Sequence, residues 1–261
     1  VGGAQPALRC GARGRGVSGE PSARPAPPVP AHLPNGADAT LLDVSVALGP
    51  GTPEWPGDTP FSCGWTWAMA DGASVNVSAL TTSPHVGTHA DAPLHVRDGA
   101  MPSDALPLAA FVGPCVVLDV SAAAAGAAAD GPGALDLDVL EACAQAQGVA
   151  LDGCARLLLR TGRTIADGCF PDAWPWVAPT CAEALAGRGL VLLGVDAPSV
   201  DARESAALAT HHALFDAGAF NLENLDLRAV SPGAYELVAP PLRVVGLDGA
   251  PVRALLRRSS G

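Results

Sequence analysis

The chain has 261 residues, of which 49% are hydrophobic and 16% charged, and a formal net charge of −11. That length can hold one large domain or two small ones around a sizeable core. The acidic balance argues against nucleic-acid and anionic-membrane partners, whose phosphates it would repel. All 15 basic residues are arginine. Without a lysine amine there is no Schiff-base chemistry and no Walker phosphate loop.

Residues 1–38 contain seven prolines and four arginines with little that can pack, and a disordered leader is expected there. Its arginines and few acids leave organellar targeting open, although the prolines prevent the amphipathic helix of a transit peptide. From Thr40 onward the signals become regular. Leu41–Leu48 reads as a strand, followed by a loop, GPGTPEWPGDTP, set by its prolines and glycines. Ser74–Thr82 alternates, with Val75, Val77 and Ala79 on one face, and predicts a strand. Cys115–Val120 and Arg156–Arg160 read as buried strands. Between them Leu137–Gln147 predicts a helix, with Asp136 at its N-cap and Gly148 past its end.

Thr180 and Glu183 have capping-box spacing, opening a short helix that Gly187 would close. Leu190–Val195 is again a buried strand, Ser205–Ala217 a helix ended by Gly218, and Tyr235–Leu256 two extended segments around Pro240 and Pro241. Strands outnumber helices and their connections vary. The prediction is one mixed α/β domain over residues 39–261, with a strand-rich β core flanked by helices.

Seven cysteines are an odd number, form no C-x-x-C pair and sit mostly in apolar runs. They read as reduced thiols of a cytoplasmic protein, not as disulfides or a thiolate zinc site. No apolar run approaches the ~20 residues of a membrane span.

Three of the six histidines fall within one run, SPHVGTHADAPLHV, which holds His85, His89, Asp91 and His95. An H-x-x-x-H pair on a helix would suit a zinc protease. Here Gly87 lies between the histidines, Pro84 and Pro93 flank them, and the H-E-x-x-H glutamate is missing. The side chains must therefore project from a loop or an irregular strand end. Imidazole and carboxylate together suit zinc, with manganese or iron as rivals, and a carboxylate can bridge two ions.

His211 and His212 sit one step apart on a predicted helix and point about 100° away from each other. His211 shares a stripe with Leu208 and Phe215 and should face inward, whereas His212 leans toward Asp216. Glu223 lies in the apolar run AFNLENLDL, where burying a carboxylate is costly unless it has a partner such as a metal.

The run H-x-G-T-H-x-D-x-P-x-H from His85 to His95 resembles the signature of the metal-dependent cyclase and hydrolase superfamily, most closely its bacterial-type kynurenine formamidases (arylformamidases). The similarity extends from about Leu41 to Arg257, through WPGDTPF, GVDAPSVD, HHALFDAGAFNLENL and YELVAPPLRVVGLDGAPVRALL. It implies two Zn2+ per subunit. His85, His89 and Asp91 would bind the first, and Asp91 would bridge to a second completed by His211 and Glu223. His95 would be the catalytic acid/base and Trp55 a substrate contact. The implied reaction is hydrolysis of N-formyl-L-kynurenine to L-kynurenine and formate in tryptophan degradation, and the implied assembly is a homodimer. Two other readings are another linear or cyclic amide as substrate, and a non-enzymatic zinc-binding protein. The second of these is disfavoured because structural zinc sites are usually closed and rich in cysteine.

Overall fold

The computed structural model describes residues 41–126 and 133–258, so the leader expected over 1–38 lies outside the described residues. In chain order the strands are β1 (Leu41–Asp43), β2 (Ser62–Trp67), β3 (Val77–Thr81), β4 (His89–Asp91), β5 (Val112–Asp119), β6 (Ala134–Leu135) and β7 (Arg156–Arg160). They continue with β8 (Trp176–Val177), β9 (Leu192–Val195), β10 (Phe220–Leu222), β11 (Gly233–Val238), β12 (Gly249–Pro251) and β13 (Leu255–Arg258). The helices are α1 (Leu108–Phe111), α2 (Ser121–Gly126), α3 (Leu137–Gln147), α4 (Pro179–Gly187) and α5 (Ala209–Asp216). The fold is mixed α/β, as the sequence predicts.

A seven-stranded sheet in the order β1–β13–β11–β5–β7–β9–β10 forms the framework. Neighbours from β1 to β5 pair antiparallel, and β5, β7, β9 and β10 run parallel. The parallel part is covered on both faces, which is why its strands read as unbroken apolar runs. Leu158, Leu192 and Leu222 point into a cluster with Phe111 and Leu237. Leu157, Leu159 and Leu193 point the other way, into a cluster with Leu140 of α3 and Leu185 of α4. Each such buried leucine contributes about 1.5–3 kcal/mol.

Helix α3 has the predicted bounds. Asp136 accepts a hydrogen bond from Val139 N–H at 2.9 Å, and Gly148 closes the helix with φ +65°. Helix α4 differs in its start. It begins on Pro179 without a side-chain cap, so the Thr180–Glu183 spacing makes no capping box. Helix α5 is shorter than expected, because Leu208 takes φ +44° and Ser205–Leu208 stay outside it. Its first N–H groups are satisfied from elsewhere: Asp201 accepts from Thr210 at 3.0 Å and from His211 at 3.1 Å.

Beyond Asp43 the first predicted strand continues only as an isolated bridge from Ser45 to Leu225. Strand β2 was not legible, because SCGWTW lacks a clear apolar alternation and all six residues are exposed. It pairs with β3, whose residues are also exposed. Among the described residues, Gly64–Ala79 and the residues of the main sheet are assigned to two different compact units.

One local arrangement builds the site. Strand β4 pairs antiparallel with β12, setting Asp91 opposite Gly249 and His89 opposite Pro251. Its other edge bridges Glu223, just past β10: His89 N–H donates to the Glu223 carbonyl at 3.3 Å, and Glu223 N–H returns to the His89 carbonyl at 3.0 Å. Residues 134 positions apart in sequence thereby become neighbours.

Candidate metal centre

The turn before β4 is anchored by its own residues. Gly87 has φ +72°, a left-handed setting that favours glycine, and an added Cβ would have to push the exposed Leu48 side chain aside. Thr88 Oγ1 accepts from Val46 N–H at 2.8 Å and donates to the Asn224 carbonyl at 2.6 Å. Asn224 itself has φ +56°, a left-handed setting that asparagine tolerates, and bends the chain just after Glu223.

His85, His89, Asp91, His95, His211 and Glu223 all converge. His89, Asp91, His211 and Glu223 are buried, whereas the His95 side chain remains 29% accessible. Asp91 divides its carboxylate. Oδ1 lies 2.8 Å from His85 Nδ1 and 3.4 Å from His89 Nε2, and Oδ2 lies 3.2 Å from His211 Nε2. Glu223 Oε1 is 3.3 Å from His211 Nε2 and accepts from Val200 N–H at 2.8 Å, while Oε2 is 3.6 Å from His89 Nε2. Two groups of donor atoms, His85–Asp91–His95 and His89–Asp91–Glu223, each lie within 4.8 Å of one another.

The far ring nitrogens are held in place. His89 Nδ1 donates to the Gly87 carbonyl at 2.9 Å, and His211 Nδ1 to Asp201 Oδ2 at 2.7 Å. His85 Nε2 lies 3.0 Å from Asp248 Oδ2. Each bond leaves the other nitrogen, with its lone pair, facing the carboxylates. Asp91 Oδ1 is buried and makes no hydrogen bond, despite its short approach to His85 Nδ1. Lone pairs facing one another across such distances need a positive charge between them, and this donor set fits a divalent metal.

The electrostatic balance of the cluster agrees. Burial alone would lower the His85 pKa, but Asp248 and Asp91 carry it up to about 10. Burial likewise opposes the charged form of His211, yet Asp201, Asp91 and Glu223 raise its pKa well above the usual imidazole range. Asp91 would be raised by burial, but the surrounding histidines hold it well below the carboxylate range. The cluster attracts positive charge strongly enough to outweigh desolvation.

His95 ends a short 3-10 turn over Pro93–His95 and presents Nδ1 3.3 Å from Asp248 Oδ2. Its ring is 4.3 Å from that of His85 and 5.9 Å from that of His211, centroid to centroid. His212 turns away, with Nδ1 3.4 Å from Arg97 Nη2, as the helix-face argument expects. The centre forms the floor of a cavity of ≈ 760 Å³. Trp55, 40% exposed, stands in its wall, edge-on to Phe170 at 5.5 Å and Trp174 at 5.7 Å.

Three residues with a place here were given no role in the sequence reading: Asp201, Asn221 and Asp248. All three lie in runs that carry the family likeness. Asn221 is a polar residue inside an apolar strand.

With the geometry in place, comparison with known proteins decides the family. The family model of the cyclases matches residues 42–202. The chain belongs to the cyclase family. It is 44% identical over 221 residues to the kynurenine formamidase of Salinibacter ruber, covering 83% of this chain and 97% of that protein. It is 43% identical over 217 residues to that of Bordetella pertussis, with the same coverage of 83% and 97%. Among solved structures, a potential metal-dependent hydrolase with cyclase activity superposes with TM-score 0.68 at 27% identity, covering 85% of this chain and 98% of that one. Isatin hydrolase A from Ralstonia solanacearum superposes with TM-score 0.70 at 26% identity, covering 84% and 92%. The cyclase-family protein described here is accordingly a hydrolase that cleaves an amide bond. Among the described residues no helix is long and apolar enough to cross a membrane.

Proposed function

We propose that this cyclase-family hydrolase converts N-formyl-L-kynurenine to L-kynurenine and formate with two Zn2+ ions. His85, His89 and Asp91 hold one ion, and Asp91, His211 and Glu223 the other. The observation that carries this reading is the division of Asp91, with Oδ1 toward His85 and His89 and Oδ2 toward His211. A pair of divalent ions acidifies water and polarises a carbonyl oxygen.

The remaining work falls to the protein. The reaction breaks the formyl C–N bond of an arylamide, and an arylamine departs poorly as an anion. His95 takes a proton from the attacking water and delivers it to the departing nitrogen. Asp248, 3.3 Å from Nδ1, orients the ring. Trp55 offers an aromatic edge or face to the substrate ring from the cavity wall.

The likeness to the kynurenine formamidases, at 44% identity, outweighs that to the isatin hydrolase, at 26%, in choosing a linear formamide over a cyclic amide. We read residues 39–261 as the enzyme domain and the protein as a cytoplasmic homodimer serving tryptophan degradation. The described cysteines are all unpaired, in keeping with a reducing compartment.

Metal analysis with chelation tests the reading. Purified protein should carry about two zinc equivalents, lose N-formylkynurenine hydrolysis when stripped, and regain it on zinc addition. Hydrolysis that survives complete stripping would contradict it.

A further inference from the structure

Asn221 sits in the middle of β10 and is fully buried between two apolar neighbours, Phe220 and Leu222. Its side-chain oxygen Oδ1 has no hydrogen-bond partner. A buried asparagine kept for structure normally satisfies both ends of its amide, and an orphaned buried acceptor disfavours folding. An aliphatic residue would fit this strand better, so the reason for asparagine must lie at its other end.

That end is crowded. Nδ2 lies 2.6 Å from Asp91 Oδ2, 3.1 Å from Glu223 Oε1 and 3.2 Å from His211 Nε2. A carboxamide nitrogen has two hydrogens and cannot serve three acceptors. Neutral His211, the form that binds a metal, has a single lone pair, on Nε2, because Nδ1–H is committed to Asp201. An ion held by Asp91, His211 and Glu223 needs that same lone pair. The amide N–H and the ion therefore cannot both use it.

Building on the two-ion reading, we propose that Asn221 is a further ligand of the ion held by Asp91, His211 and Glu223. A half-turn of its amide withdraws Nδ2 and presents Oδ1 to the same three groups. One setting of the amide donates to the carboxylates; the other supplies a neutral oxygen and adds no charge to a site already holding two carboxylates. Amide oxygens suit hard divalent cations, and the change makes this subsite richer in oxygen than the one around His85 and His89.

The test is a calorimetric zinc titration with parallel metal analysis on the wild type, Asn221→Leu and Asn221→Asp. The wild type should take up two ions. Asn221→Leu, close in volume, should bind the first ion unchanged and the second at least tenfold more weakly. Asn221→Asp should bind the second at least tenfold more tightly. Circular dichroism establishes that both variants fold. A leucine variant that binds the second ion as tightly as the wild type, or more tightly, overturns the proposal while leaving the two-ion reading intact. A wild type that takes up one ion only overturns both.

A measurement on the unaltered protein guards against misfolded variants. The 15N–1H resonances of the Asn221 carboxamide should move with the second zinc equivalent. If they stay in place through both equivalents, the proposal fails.

Discussion

His211 donates a hydrogen bond from Nδ1 to Asp201 Oδ2 over 2.7 Å, and this bond fixes Nε2 as the nitrogen that faces Asp91 and Glu223. The same carboxylate accepts the N–H groups of Thr210 and His211 at the start of α5. One aspartate thus sets the helix start, the tautomer and the ring direction together. Asp201→Asn should weaken the ion at His211 by about 10–100-fold, the usual cost of losing such an orienting partner. The loss of helix capping should be about 1 kcal/mol or less, since the amide oxygen still accepts. Zinc titration and thermal melting of the metal-free variant separate the two effects. Unchanged zinc affinity would reduce Asp201 to a helix cap.

Asp248 Oδ2 lies between His85 Nε2 at 3.0 Å and His95 Nδ1 at 3.3 Å. Asp248→Asn should lower kcat roughly tenfold or more with little change in KM, because His95 loses its orienting partner. His95→Ala should retain both ions and lose turnover by about 10²–10⁴-fold. If zinc content falls in His95→Ala, the residue is a ligand and not the proton carrier.

Gly249 faces Asp91 across the β4–β12 ladder. A Cβ there would stand 2.9 Å from His85 Cε1 and 3.2 Å from the Ala90 carbonyl oxygen. The backbone of β4 cannot easily yield, so the His85 ring must. Gly249→Ala should weaken the ion at His85 by about tenfold while the ion at His211 is unaffected, on the same orienting argument. Site-resolved titration checks this, and equal weakening at both subsites would point to a general distortion of β4.

The metal-free protein should respond to pH through its histidines. The His85 pKa is raised to about 10, the pull of Asp248 and Asp91 overcoming burial. A pKa raised on folding means stability that is full below the unfolded value of about 6.5 and lost as pH rises through the folded value. The melting temperature of metal-free protein should therefore fall between pH 7 and pH 10. On the proposed two-ion reading, zinc would displace these protons, so binding near pH 7 should release them, and the heat should scale with the ionisation enthalpy of the buffer. Buffer-independent heat would show that the ligands are already deprotonated.

The parts of this fold that read clearly from the sequence are those whose local chemistry agrees with their final surroundings. Leu137–Gln147 carries its own cap and terminator, and Arg156–Arg160 its own apolar run, and both form as predicted. The start of α5 was misread because its cap comes from Asp201, which periodicity within the helix cannot reveal. Strand β2 was missed because an exposed strand has no burial pattern. The first histidine cluster was visible because its spacing is local. Asp248 and Asn221 were not, since their roles depend on the β4–β12 ladder and the β10 bridge, which join distant stretches of chain.

The central claim is tested most directly by the substrate preference of the zinc-loaded protein. The purified protein should be assayed on N-formyl-L-kynurenine beside isatin and a panel of other linear and cyclic amides. N-formyl-L-kynurenine should give a kcat/KM at least a hundredfold above every other compound, and chelation should abolish it. A higher kcat/KM on a cyclic amide, or none on the formamide with both ions bound, would contradict the assignment.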